Sequence, residues 1–92
     1  MPAPIKNPML LDYVDEAKKY YKAEYLNVEG ARGSSMKKSI KYFDALKLWY
    51  ANEKMVFIAH QMGMEAAALK VILSRTQERV EMFLKLKRMG KL

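Results

Sequence analysis

Residues 55–74 read MVFIAHQMGMEAAALKVILS, and the fold turns on how this stretch divides. Met55 to Met62 is a compact apolar segment, Gly63 interrupts it, and from Glu65 onward the pattern is helical again. Ile58 and Met62 are four apart and share the inner face of the first helix. Ala59 is small where a second helix must cross closely, and Gly63 can take the positive φ that ends a helix. Met64 plugs the turn, and Leu69 and Ile72, three apart, line the inner face of the second helix. Together Ile58, Ala59, Met62, Gly63, Met64, Leu69 and Ile72 predict a small core that fixes two helices at a steep angle.

Upstream, Met36, Ile40, Phe43, Leu46 and Trp49/Tyr50 form one apolar stripe, which predicts a helix from Met36 to about Tyr50, followed by a polar break over residues 51–54. Before it, Asn27 to Ser35 (NVEGARGSS) holds two glycines and two serines and reads as a linker in which Ser34 or Ser35 caps the next helix. Earlier still, Leu10, Tyr13, Val14, Ala17, Tyr20, Tyr21 and Tyr25 recur at helical spacing behind Asn7-Pro8, a cap followed by proline at the first helical position. Prolines 2, 4 and 8 leave residues 1–8 extended and flexible. Downstream, residues 76–92 read as a basic amphipathic helix. No alternating run or hairpin dipeptide occurs, so the expected class is all-α. The expected architecture is a single domain over residues 1–92, a small bundle of four to five helices. It comprises an N-terminal helix over 9–27, a tri-helical core over 36–75 and a C-terminal helix over 76–92.

The chain has 92 residues, is 51% hydrophobic and contains no cysteine, which excludes a disulfide scaffold and a thiolate zinc site. Its apolar fraction argues against a disordered basic tail. The N-terminus shows no apolar stretch of the kind a secretion signal needs, and no run approaches the roughly 18 apolar residues that span a bilayer. A soluble, cytoplasmic protein is expected. The net charge of +7 is segregated. Residues 1–35 balance five bases against five acids, whereas residues 36–92 hold twelve bases against five acids. That asymmetry points to an anionic partner for the second half, nucleic acid first and an anionic membrane surface next.

Through Ile58-Ala59, Met62-Gly63-Met64, Leu69 and Ile72, the sequence resembles the helix-turn-helix superfamily. Ala45, Leu46 and Trp49-Tyr50 ahead of the polar break look like the first helix of a tri-helical unit. The run from Val71 into Glu78-Arg79-Val80 is similar to sigma region-4-like and small-terminase DNA-binding domains. The resemblance covers about residues 36–80. It implies double-stranded DNA as partner, a homodimer or higher oligomer, a role in transcription regulation or DNA packaging of the viral or plasmid type, and a nucleoid-associated location. The plainer alternative is two packed helices around a glycine cap.

On this reading Glu65, Ala66, Ala67, Lys70, Val71 and Ser74 face the bases. Lys70, Ser74 and Glu65 can exchange hydrogen bonds there, and Ala66, Ala67 and Val71 can touch only thymine methyl groups. Arg32, Lys37, Lys38, Lys41, Lys54, Arg75 and Arg79 would hold phosphates. Lys37, Lys38 and Lys41 are expected in the first turns of their helix, beside backbone N–H groups. For any single lysine a solvated helix face is the competing explanation. The apolar row Ala66–Val71 equally suits a protein partner in transcription or DNA packaging. Tyr13, Tyr20, Tyr21, Phe83 and Leu84 suit either the core or an interface. His60 stands alone, so no metal site, cofactor or enzymatic centre is expected, and a membrane ranks last among partners.

Overall fold

The computed structural model of the chain describes residues 3–28 and 30–91, with the backbone alone at 31, 32, 34 and 35. Among these residues there are five helices of eight residues or more, preceded by a single turn, and no strand. Asn7 caps the first turn, α1 (Pro8–Leu11), by accepting from the Met9 N–H at 3.1 Å with Pro8 at the first helical position. The helix expected to run unbroken to Leu26 steps at Asp12-Tyr13, where the Tyr13 N–H returns to Leu10 O, and resumes as α2 (Val14–Leu26). The apolar spacing is right on both sides of the step. A one-residue change of backbone path leaves no mark in that spacing.

The Gly/Ser-rich stretch is not a linker. Helix α3 (Gly30–Ser39) runs through it. A Cβ on buried Gly33 would overlap the Val28 carbonyl, so the glycine permits a tight α2–α3 corner that the composition disguises as a loop. The expected single helix from Met36 to Tyr50 is likewise two elements, α3 and α4 (Lys41–Tyr50). At the junction the Ser39 hydroxyl donates to Met36 O at 2.6 Å, and the Ile40 N–H turns to Lys37 O instead. A side chain has taken the carbonyl that would have continued the helix.

Helix α5 (Met55–Met62) ends as predicted. Gly63 has φ +69°, its N–H bonds His60 O, and the Met64 N–H reaches Ala59 O. After three residues the chain enters α6 (Ala66–Arg88), bent by 93° from α5. The expected boundary at residues 75–76 does not exist, because no glycine or proline interrupts the run and α6 is continuous over 23 residues. Buried Thr76 stays inside it by donating to Ile72 O at 2.8 Å. Among the described residues no single helix is long and apolar enough to cross a membrane, and only the bent α5–α6 pair reaches that length and composition together.

Helix α6 is the axle of the fold, with α1, α2, α4 and α5 all packed on it. Its buried ridge is Leu69, Leu73, Thr76 and Val80, continued by Phe83 and Leu84. Phe43, Ala45 and Leu46 of α4, Ile58 and Ala59 of α5, and Leu10, Val14 and Ala17 complete the core.

Residues 3–7 are extended as expected, but they are strapped down rather than loose. The Trp49 indole donates to Pro4 O at 3.2 Å, and the Gln77 amide donates to Ile5 O at 2.9 Å. The Tyr50 hydroxyl donates to Gln77 Oε1 at 2.7 Å and accepts from the Asn7 N–H at 3.3 Å. Lys6 donates to Asn52 Oδ1 at 2.8 Å and stands 4.2 Å from the Trp49 ring centre. The partners that Pro4, Ile5, Lys6 and Asn7 meet here lie more than 40 residues away in sequence, so proline content alone could not reveal them.

Candidate nucleic-acid interface

The α5–turn–α6 corner falls in the angular range of helix-turn-helix pairs. Of its predicted core, Ile58, Ala59 and Leu69 are buried, and Met62 and Met64 are half-buried against them. Ile72 is not an inner residue. It is half-buried on the flank of α6, and Leu73, one turn beyond Leu69, holds the core position instead. The signal for Leu73 was present in the sequence, since Leu69, Leu73, Thr76 and Val80 follow the four-three-four spacing of a buried helix ridge.

The same spacing defines the outer ridge Ala67, Val71, Ser74 and Glu78, of which Ala67 and Glu78 are exposed and Val71 and Ser74 half-buried. Three of the expected base-facing residues therefore share one line. Exposed Glu65 sits just ahead of α6, and half-buried Lys70 lies beside the line. Ala66 departs from the expectation, because it packs against the core. Lys70 and Gln77, two turns apart, occupy one flank, which the N-terminal strap joins at Gln77. Arg75 and Arg79, one turn apart, occupy the other. Lys70 and Arg75 diverge by about 140° around the axis.

Arg75 and Arg79 line two adjoining concavities. One, of about 100 Å³, lies against Ser39 and Tyr42 at the α3–α4 junction, with Ile72 and Thr76 at its base. The other, of about 350 Å³, opens past Tyr21 toward Glu78 and Met82. The Lys41 ammonium stands 5.6 Å from the ring centre of Tyr42, one of the residues lining the first concavity. The Tyr21 hydroxyl donates to Arg79 O at 3.0 Å, and burial, with Tyr25 and Tyr20 adding to it, raises the Tyr21 pKa against the opposing effect of Arg79. Tyr21 thus stays a neutral donor that holds the α6 backbone under Arg79.

Among the described residues none of Arg75, Arg79 and Lys41 forms an ion pair. Three lysines elsewhere are matched. Lys18 meets Asp44 at 3.0 Å, Lys47 meets Asp15 at 3.2 Å and Lys87 meets Glu16 at 2.8 Å, each joining α2 to α4 or α6.

The remaining predicted phosphate contacts scatter. Lys37 and Lys38 lie in the last turn of α3, not the first turns of a helix, because α3 begins at Gly30. They face its carbonyl end, which favours cations and supplies no N–H cradle for phosphate. Lys37 lines a separate apolar cleft with Lys22, Leu26 and Ile40. Exposed Lys54 precedes α5, and the Arg32 side chain lies outside the described residues. The suggested interface aromatics are spent inside the chain. Phe83 and Leu84 are buried, Tyr20 meets Phe83 with ring centres 5.6 Å apart, Tyr21 stacks on Phe43 at 5.9 Å, and Tyr13 packs on the core.

What the arrangement offers chemically is a slender outer ridge between two cationic flanks, without any grouping of His, Asp or Glu suited to a metal among the described residues. No family model matches this chain, and no curated protein or solved structure matches it.

Proposed function

We propose that this protein is a small DNA-binding protein of the helix-turn-helix kind, a transcription regulator or accessory factor that lays the first half of α6 in the major groove. The observation that carries the reading is the pairing of the 93° α5–α6 corner with unmatched cations on the α6 flank. A helix about 10–12 Å across fills a major groove about 12 Å wide, so its flanks meet the two phosphate backbones. Lys70 would serve one strand, and Arg75 and Arg79 the other. Ala67, Val71 and Ser74 would touch base edges, offering thymine-methyl contacts and a single hydroxyl. Affinity is therefore expected to rest on phosphates, with a low ratio of specific to non-specific binding. Glu78, at the outer end of the ridge, would repel phosphate, so the base-facing contacts of the ridge end before it while Arg79 still reaches the backbone from the flank.

The test is a gel-shift titration on random and genomic duplexes across salt concentrations. The expected result is a linear fall of log affinity with log salt, with a slope of about −0.9 per phosphate contact, reduced by about two in an Arg75→Glu/Arg79→Glu double variant. Binding that ignores salt, or that survives the double reversal unchanged, refutes the reading.

One observation favours a second reading, in which the same scaffold docks a protein. Val56 and Phe57 on the outer side of α5 are 72% and 47% exposed, and with Ala67 they offer apolar surface near the corner. Ala67→Arg should then abolish partner binding, whereas on a DNA-binding surface it should leave affinity intact or raise it.

A further inference from the structure

Beyond Glu81, the flank of α6 opposite Arg79 runs beside α1 and opens into a groove of about 390 Å³. Buried Leu10 and Leu84 form its floor, and Met9 and Met89, 60% and 54% exposed, stand along it. Methionine side chains are flexible and polarizable, and they suit a surface that must mould itself to an incoming apolar group. The rim is charged unevenly. Lys85 and Arg88 stand toward the C-terminal end of α6, and Glu81 stands at the other. Neither Lys85 nor Arg88 forms an ion pair among the described residues, whereas Lys87 between them is held by Glu16 of α2.

We infer that this groove receives an amphipathic helix of a protein partner, its apolar stripe on Met9, Leu10, Leu84 and Met89 and its acidic residues over Lys85 and Arg88. Charge selects this occupant. A second copy would bring two cations and one acid, Lys85, Arg88 and Glu81, to a rim that already carries the same excess of positive charge, on a chain of net charge +7. A bilayer is flat and fluid, whereas the apolar floor here is recessed between α1 and α6. The stretch of α6 over residues 81–89 spans about 12 Å, which matches anchors at i, i+3/i+4 and i+7 of a docked helix. Glu81 sets polarity, since acids are favoured at the Arg88 end and repelled at the other. Burial of the methionines would supply affinity, and the charged rim would set orientation and partner choice.

The site lies on the flank of α6 away from Arg75 and Arg79, so it stands or falls separately from DNA binding. The test uses the full chain carrying 13C-methyl methionine, titrated with a synthetic peptide of about four helical turns. The peptide has leucines at three- and four-residue spacing and glutamates flanking one end, and a twin carries lysine in place of glutamate. The glutamate peptide is expected to shift the Met9 and Met89 methyl signals and to leave those of Met55 and Met62 in place, and the twin is expected to shift none. In a Lys85→Glu/Arg88→Glu variant the preference should invert, while Met9→Lys should abolish binding of the glutamate peptide. The inference is overturned if neither peptide binds, if both bind alike, or if the shifts spread over all methionines. It is equally overturned if Met9 and Met89 respond instead to raised protein concentration or to phosphatidylglycerol vesicles.

Discussion

The face that α2 shares with α4 and α6 and the notch that α3 and α4 share with α6 are built from the same residue types and treat charge in opposite ways. On the first, three lysines each meet a carboxylate within 3.2 Å. On the second, Arg75 and Arg79 repeat the same sign one turn apart, an arrangement that costs a helix about 0.2–0.5 kcal/mol, and neither forms an ion pair among the described residues. Like charges gathered with Glu78 as the one acid lining their cavity weaken the folded chain, and a polyanion would reverse that penalty. The difference also locates the charge excess. The second half of the sequence carries all of the +7, but α2 of the first half supplies acids that neutralise Lys47 and Lys87 of the second. Of the described bases that form no ion pair, five lie on α6: Lys70, Arg75, Arg79, Lys85 and Arg88.

The comparison can be broken by mutation. The largest effect is expected for Arg75→Glu/Arg79→Glu, which should lower duplex affinity on the order of a hundredfold, since hydrogen bonds to charged groups are worth about 1.5–3 kcal/mol each. The urea midpoint should hold or rise. Gly63→Ala attacks the corner instead. At φ +69° a Cβ should cost about 1–2 kcal/mol, read as a lowered urea midpoint, with DNA affinity falling only as far as the corner opens. Trp49→Phe removes the indole donor to Pro4 O and should cost about 1 kcal/mol, seen as faster amide exchange at residues 5–7 with the notch unaffected. Asp15→Asn and Asp44→Asn on the matched face should each lower stability by under about 1 kcal/mol without weakening DNA binding. A loss of DNA affinity there would erase the distinction between the two regions.

The smallest effect is with pH. Burial raises the Tyr21 and Tyr50 pKa values, and the bond to Glu16 raises that of Lys87. A group whose pKa is higher in the folded chain contributes stability that is complete below its unfolded pKa and disappears as pH rises through the folded one. All three have that sign, so the urea midpoint should be flat near neutrality and decline from about pH 10 upward. Tyr21→Phe should soften the decline.

Much of this was legible in the chain. The apolar spacing of α2, α4 and α6 and the glycine at residue 63 prescribe the helices and their corner, because burial follows a 3.6-residue period and a positive φ needs glycine. What escaped depends on partners distant in sequence or on one atom's choice of bond. Ser39 breaks a helix by taking Met36 O, Gly33 looks like linker until Val28 is seen against it, and Gln77 reads as a solvated residue until it meets Ile5 O. Of the candidate site, the sequence points to Arg75 and Arg79 as phosphate contacts, whereas Tyr42 and Ser39, which line the same cavity, come from the other side of a break that the stripe conceals.

Helix α6 has a mechanical consequence. Its 23 residues form one strut about 35 Å long, with the corner at its head and the methionine groove at its foot. Anything gripped at the foot is held at a fixed distance and a fixed rotational phase from whatever the head touches. The helix is a ruler, and inserting a single residue near Gln77 would turn the two ends by about 100° relative to each other while lengthening it by only about 1.5 Å.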